Sequence, residues 1–120
     1  MGNRKFGWHS GDVHANNVYC GLATLTSSAA IALDATRGDV FKLVPAHTAT
    51  ITPTNLKKTV GQRLTLVITT SGGSSFTLTF GTGFKSVGTL ATGTDTGKVF
   101  VVEFVGDGVN FNEVARTTAM

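Results

Sequence analysis

The chain holds a single cysteine, Cys20, so no disulfide can form within it and the framework of a disulfide-stapled secreted domain is excluded. Tryptophan and tyrosine occur once each, as Trp8 and Tyr19. A rigid aromatic platform for sugars therefore has little to be built from. Charge is thin as well: charged residues make up 14% of the chain, against roughly 25% in an average soluble protein. The net charge of +3 and the pI of about 9.4 make the chain basic, yet its cations are scattered. A nucleic-acid surface gathers Lys and Arg into a stripe or patch, so no nucleic-acid partner is expected. No apolar run approaches the ~18 residues that a membrane span requires. The N-terminal stretch lacks the apolar core of a signal peptide, which leads to an expectation of synthesis in a reducing cytoplasm and no membrane partner.

What is present is the vocabulary of strands and turns. The length of 120 residues suits one domain, and a hydrophobic share of 41% is too high for disorder. Threonine and glycine are heavily used, while proline is limited to Pro45 and Pro53. β-Branched residues fit a pleated surface, and glycine marks the turns between strands.

Residues 1–16 (MGNRKFGWHSGDVHAN) show no period and read as an extended N-terminal arm, followed by a β-domain over 17–120. Apolar aromatics in such a segment need a surface to lie on, either on their own domain or on a neighbouring subunit. Arg4, Lys5, Phe6, Trp8 and His9 are the candidate partner-binding residues of the arm. From Val18 to Leu25 the pattern turns strand-like. Ile31 and Leu33 precede a DATRG turn, and Val40, Phe41, Leu43 and Val44 form the next strand. Residues 47–52 alternate, with Ala49 and Ile51 on one face, and Pro53 is expected to end that strand.

Residues 63–70 (RLTLVITT) alternate most clearly, and 75–80 (SFTLTF) alternate again. The intervening Ser-Gly-Gly-Ser, 71–74, reads as a hairpin turn, because a tight turn needs positive φ. Phe84 to Val87 is a short strand, and 88–97 (GTLATGTDTG) is polar and glycine-rich. Residues 98–105 (KVFVVEFV) are apolar almost throughout, so both faces are expected to be covered. A Gly106-Asp-Gly108 turn leads into a closing strand with Phe111. The fold class predicted is all-β: a small antiparallel β-sandwich or barrel with an extended N-terminal arm.

Chemistry is sparse. His9 and His14 flank Asp12 on the arm, but a zinc site needs three or four ligands in fixed geometry, and no metal or other cofactor is expected. There is no G-x-S-x-G elbow and no phosphate-loop motif. Cys20 reads as a small buried hydrophobe. Most acids sit in turns, where they cap the backbone. Glu103, inside an apolar strand, is expected to face solvent, to pair with a cation such as Arg63 or Lys98, or to lie in an intersubunit contact. No nucleophile–base or carboxylate pair supports an enzyme.

The succession IALDATRGDVFKLV (31–44), LTLVITTSGG, FTLTFGTGFK and KVFVVEFVGDGVNFNEV (98–114) resembles a β-rich module of tailed-phage virion proteins. Asp107, Gly108, Phe111, Glu113 and Val114 match the closing signature of that module. The resemblance covers about residues 29–115 and implies a trimer-forming sandwich or barrel on the virion surface, made in the host cytoplasm. Fibre proteins are long, whereas this chain carries little besides the module and the arm. The resemblance therefore implies a capsid decoration (cement) protein that binds the major capsid protein. A tail-fibre, spike or neck domain that binds a receptor or another virion protein is the alternative. Phe84 and Phe111 are candidate partner or subunit contacts.

Overall fold

A computed structural model of the chain describes residues 21–56 and 60–120. Among the described residues there are ten strands: β1 (Leu22–Thr24), β2 (Ala30–Asp34), β3 (Val40–Leu43), β4 (Ala49–Thr54), β5 (Arg63–Thr69), β6 (Thr77–Phe80), β7 (Phe84–Lys85), β8 (Leu90–Ala91), β9 (Val99–Gly106) and β10 (Phe111–Arg116). They form a six-stranded sheet, ordered β1-β3-β5-β9-β10-β7, and a four-stranded sheet, ordered β2-β4-β6-β8. The all-β, two-layer expectation is met. The arm, 1–16, and residues up to Cys20 lie outside the described residues.

The strand alternation builds the core directly. In β5, Leu64, Leu66 and Ile68 are buried, while Thr65, Val67 and Thr69 face outward. Phe41 and Leu43 of β3 and Phe100, Val102 and Phe104 of β9 join them on the inner face of the large sheet. Ile31 and Leu33 of β2, Ala49 and Ile51 of β4, and Leu78 and Phe80 of β6 supply the opposing layer. Each large side chain buried between the layers contributes roughly 1.5–3 kcal/mol before conformational entropy is set against it.

The pairing differs from an all-antiparallel sandwich. β1, β3 and β5 run parallel to one another, as do β2, β4 and β6, and β7 runs parallel to β10. Strands β1 to β8 alternate strictly between the sheets, so the chain winds as a flattened coil around the core. The β9–β10 hairpin then inserts between β5 and β7, antiparallel to β5.

This winding corrects the reading of residues 71–74 as a hairpin. Gly72 does take a positive φ of 82°. However, β5 and β6 lie in different sheets, and the connection crosses the core. Their alternating apolar rows meet face to face, not side by side. Pro53 also fails to end its strand. It lies buried inside β4, opposite Leu33 of β2. β6 pairs with β4 only as far as Ile51, so no neighbour on that side needs the N–H that proline lacks. β8, in the glycine-rich 88–97 stretch, was not legible as a strand. Leu90 anchors it by packing inward opposite Leu78. Thr70 and Thr92 tie the neighbouring loops down. The Thr70 hydroxyl donates to the Asp95 carbonyl and accepts from the Lys98 N–H, while the Thr92 hydroxyl accepts from the Phe76 N–H.

Candidate functional site

The two ends of the coil are built differently, and each follows from local sequence. At the β7–β10 end, Phe80, Phe84, Phe104 and Phe111 pack together. Phe80 meets Phe84 and Phe104 edge-on, with ring centroids 5.5 and 5.4 Å apart. Phe84 lies 4.6 Å from Phe104 and 6.0 Å from Phe111. This corrects the expectation that Phe84 and Phe111 contact a partner: both are core residues, because in-register pairing of β7 with β10 turns both rings inward.

A β-bulge between Glu113 and Ala115 changes the outcome of alternation in β10. Residues three apart in a regular strand point to opposite faces. With one extra residue, Val114, in the bulge, Glu113 and Arg116 reach the same face. Their side chains are 3% and 20% exposed, respectively. Arg116 Nε donates to Glu113 Oε2 at 2.9 Å, and an Nη donates to Oε1 at 2.9 Å, a two-pronged pair. The same guanidinium donates to the carbonyls of Thr89 and Gly88 at 2.9 Å and lies 5.6 Å from the Phe80 ring centroid. The Val87 N–H donates to Glu113 Oε1. This ion pair locks the β7–β8 connection over the aromatic cluster and seals that end.

At the opposite end β1 and β2 are the outermost strands among the described residues. β1 pairs only with β3 and β2 only with β4, so no described strand lies along the outer edge of either. Between the two edges runs a groove of about 510 Å³, lined by Leu22 to Thr26, Ala30, Ile31, Arg37 and Phe41, among others. One corner is held by a close approach of two glycines. The Gly21 carbonyl accepts from the Asp39 and Val40 N–H groups, and a Cβ on Gly38 would sit 2.7 Å from it. Gln62 Nε2 buttresses the same loop by donating to the carbonyls of Ala35 and Gly38 and to Asp39 Oδ1.

Acids in the described loops serve turns. Asp34 Oδ1 accepts from Asn55 Nδ2 and from the Thr36 hydroxyl and N–H, which together lower its pKa. Asn55 sits at φ 62°, a left-handed conformation that asparagine tolerates better than most residues. Asp107 accepts from the backbone of Asn110, the Asn112 amide and the Val109 N–H, and its pKa falls to about 2. Glu103 faces outward beside Arg63 at 3.9 Å, one of the partners expected for it. His47 is a turn residue, with Nδ1 3.2 Å from the Ser27 hydroxyl. Among the described residues, no group of three or more His, Cys, Asp or Glu could hold a metal. Arg4, Lys5, Phe6, Trp8 and His9, together with His14 and Cys20, lie outside the described residues.

The outer faces of the two sheets differ in composition. On the large sheet, Val40, Val67, Val99, Val101 and Val105 face outward, with the charges of Lys42, Arg63 and Glu103 among them. On the small sheet the register sets Ala30, Thr50 and Thr79 in one row and Ala32 and Thr52 in the next. Asp34 is the one charged residue in the four strands of that sheet. Comparison with family models, with curated proteins and with solved structures returned no match.

Proposed function

We propose that this chain is a non-enzymatic assembly protein of a tailed-phage virion, a homotrimeric capsid decoration protein that binds and stabilises the major capsid shell. The observation that supports this reading is the outer face of the four-stranded sheet. It is broad, exposed and formed by Thr and Ala, with a single carboxylate at its margin. Interface cores are depleted of charge, because every charge buried against a neighbour must be stripped of water and re-paired. Threonine hydroxyls and methyls meet a neighbour at low desolvation cost and with little rotamer entropy to lose. The resemblance to the virion module supplies the setting, and a fibre, spike or neck location is its alternative.

Co-sedimentation with undecorated phage shells tests the reading. The wild-type chain should pellet with shells. The Thr50→Lys/Thr79→Lys double variant, which places two neighbouring charges on an exposed face without touching the core, should fold normally and remain in the supernatant. Equal pelleting of both proteins would remove the face from the account. A wild-type chain that ignores shells would move the role to the tail or overturn the virion reading.

A further inference from the structure

The outward face of the six-stranded sheet is more apolar than a sheet facing water. Residues 98–105 are apolar almost throughout, the pattern of a strand covered on both sides. Phe100, Val102 and Phe104 account for one side of β9, in the core. Val99, Val101 and Val105 occupy the other side and are only half-buried. The register extends this side into apolar rows. Leu22 of β1 lies beside Val40 of β3, and Val67 of β5 lies beside Val101 of β9. Val44, just past β3, and Val114, in the bulge of β10, are 51% and 53% exposed. An apolar surface spread over neighbouring strands marks a place where something binds.

The charges on this face say what fits it. Lys85 stands at the margin, on β7, and Arg63 of β5 lies beside Glu103 of β9 at 3.9 Å. Lys42 of β3 is exposed and has no ion pair among the described residues. It lies alongside Val67, whereas Glu103 lies on the far side of β5. Two strand spacings part Lys42 from Glu103, about 10 Å, so they do not pair within one chain. The face thus carries an unpaired cation on its β3 flank, its carboxylate on the β9 flank, and valines between.

We infer that copies of this chain associate through the outer face of the six-stranded sheet, with Lys42 on the β3 flank of one copy pairing with Glu103 on the β9 flank of the next. The inference rests on the homotrimer proposed above and names the surface that joins its subunits. A rotational trimer uses a head-to-tail contact, in which one flank of each copy meets the other flank of its neighbour. Opposite charges on the two flanks of one face meet that condition without a second surface. Val67 and Val101 lie at the centre, where an interface is most depleted of charge. The threonine and alanine face of the other sheet stays free for the shell.

Native mass by analytical ultracentrifugation, without shells, tests this apart from the virion role. Val67→Glu/Val101→Glu should sediment as a single chain of 12.5 kDa where the wild type sediments as a trimer. Its far-UV circular dichroism should be unchanged, because both side chains lie outside the core. Lys42→Glu and Glu103→Lys should each weaken association by about tenfold or more, and the swap Lys42→Glu/Glu103→Lys should restore most of it. A trimer that survives Val67→Glu/Val101→Glu, or a swap no better than the single variants, would overturn the inference and leave the trimer standing. A wild-type monomer whose pelleting with shells is abolished by the valine variant would also overturn it, since the face would then belong to the shell. A trimer that the valine variant breaks, but that ignores shells, would uphold the inference and remove the shell role.

Discussion

Gly38 is held to glycine by proximity. A Cβ there would sit 2.7 Å from the Gly21 carbonyl oxygen, a backbone atom that cannot rotate away. Gly38→Ala should lower stability by about 1–3 kcal/mol, the usual cost of forcing extra volume into a packed site, seen as a lower denaturation midpoint with an unchanged slope. The Glu113–Arg116 pair makes a second claim. Arg116→Met leaves a nearly buried carboxylate without its partner and should cost about 3 kcal/mol. The double variant Glu113→Leu/Arg116→Met should recover most of that loss. A double variant no better than the single one would mean that the carbonyl contacts of Arg116, not the carboxylate, matter most. Asp107 adds a pH dependence. Its folded pKa of about 2 lies below the ordinary 3.8, so its contribution is full above pH 4 and is lost as pH falls towards 2. Thermal melts of wild type and Asp107→Ala should differ at pH 6 and converge as pH falls through that window. A constant gap would show that the carboxylate charge is irrelevant to the turn.

At the scale of elements, most strand positions are legible in the sequence, β8 being the exception, and strand partners are not. Alternation in residues 63–69 and 77–80 states which side chains face inward, and they do. Alternation says nothing about which strand lies alongside. The Gly106-Asp-Gly108 turn does make the β9–β10 hairpin, because only four residues separate those strands. Residues 70–76 are long enough to cross the core, and Gly72 bends that crossing in place of a hairpin. The ion pair at Glu113 and Arg116 was hidden by the bulge, since a three-residue spacing in a strand points away from a shared face. Phe84 and Phe111, read as partner contacts, became core once their strands paired in register. The crossing assignment has a direct test. Two glycines inserted between Gly72 and Gly73 should change stability by less than about 1 kcal/mol, because lengthening a crossing loop costs only loop entropy. A large loss would indicate that the loop sets a strand register after all.

For the whole molecule, the distribution of charge organises the account. Arg37, Asp39, Asp95, Lys98 and Asp107 lie in loops or at strand margins, whereas the four-stranded sheet presents threonine and alanine outward. The proposed role requires this chain of 12.5 kDa to self-associate. The most direct measurement is the native mass of the purified protein by analytical ultracentrifugation, across a range of concentrations. The account predicts a stable trimer, near three times 12.5 kDa, whereas a monomer at every concentration would contradict it.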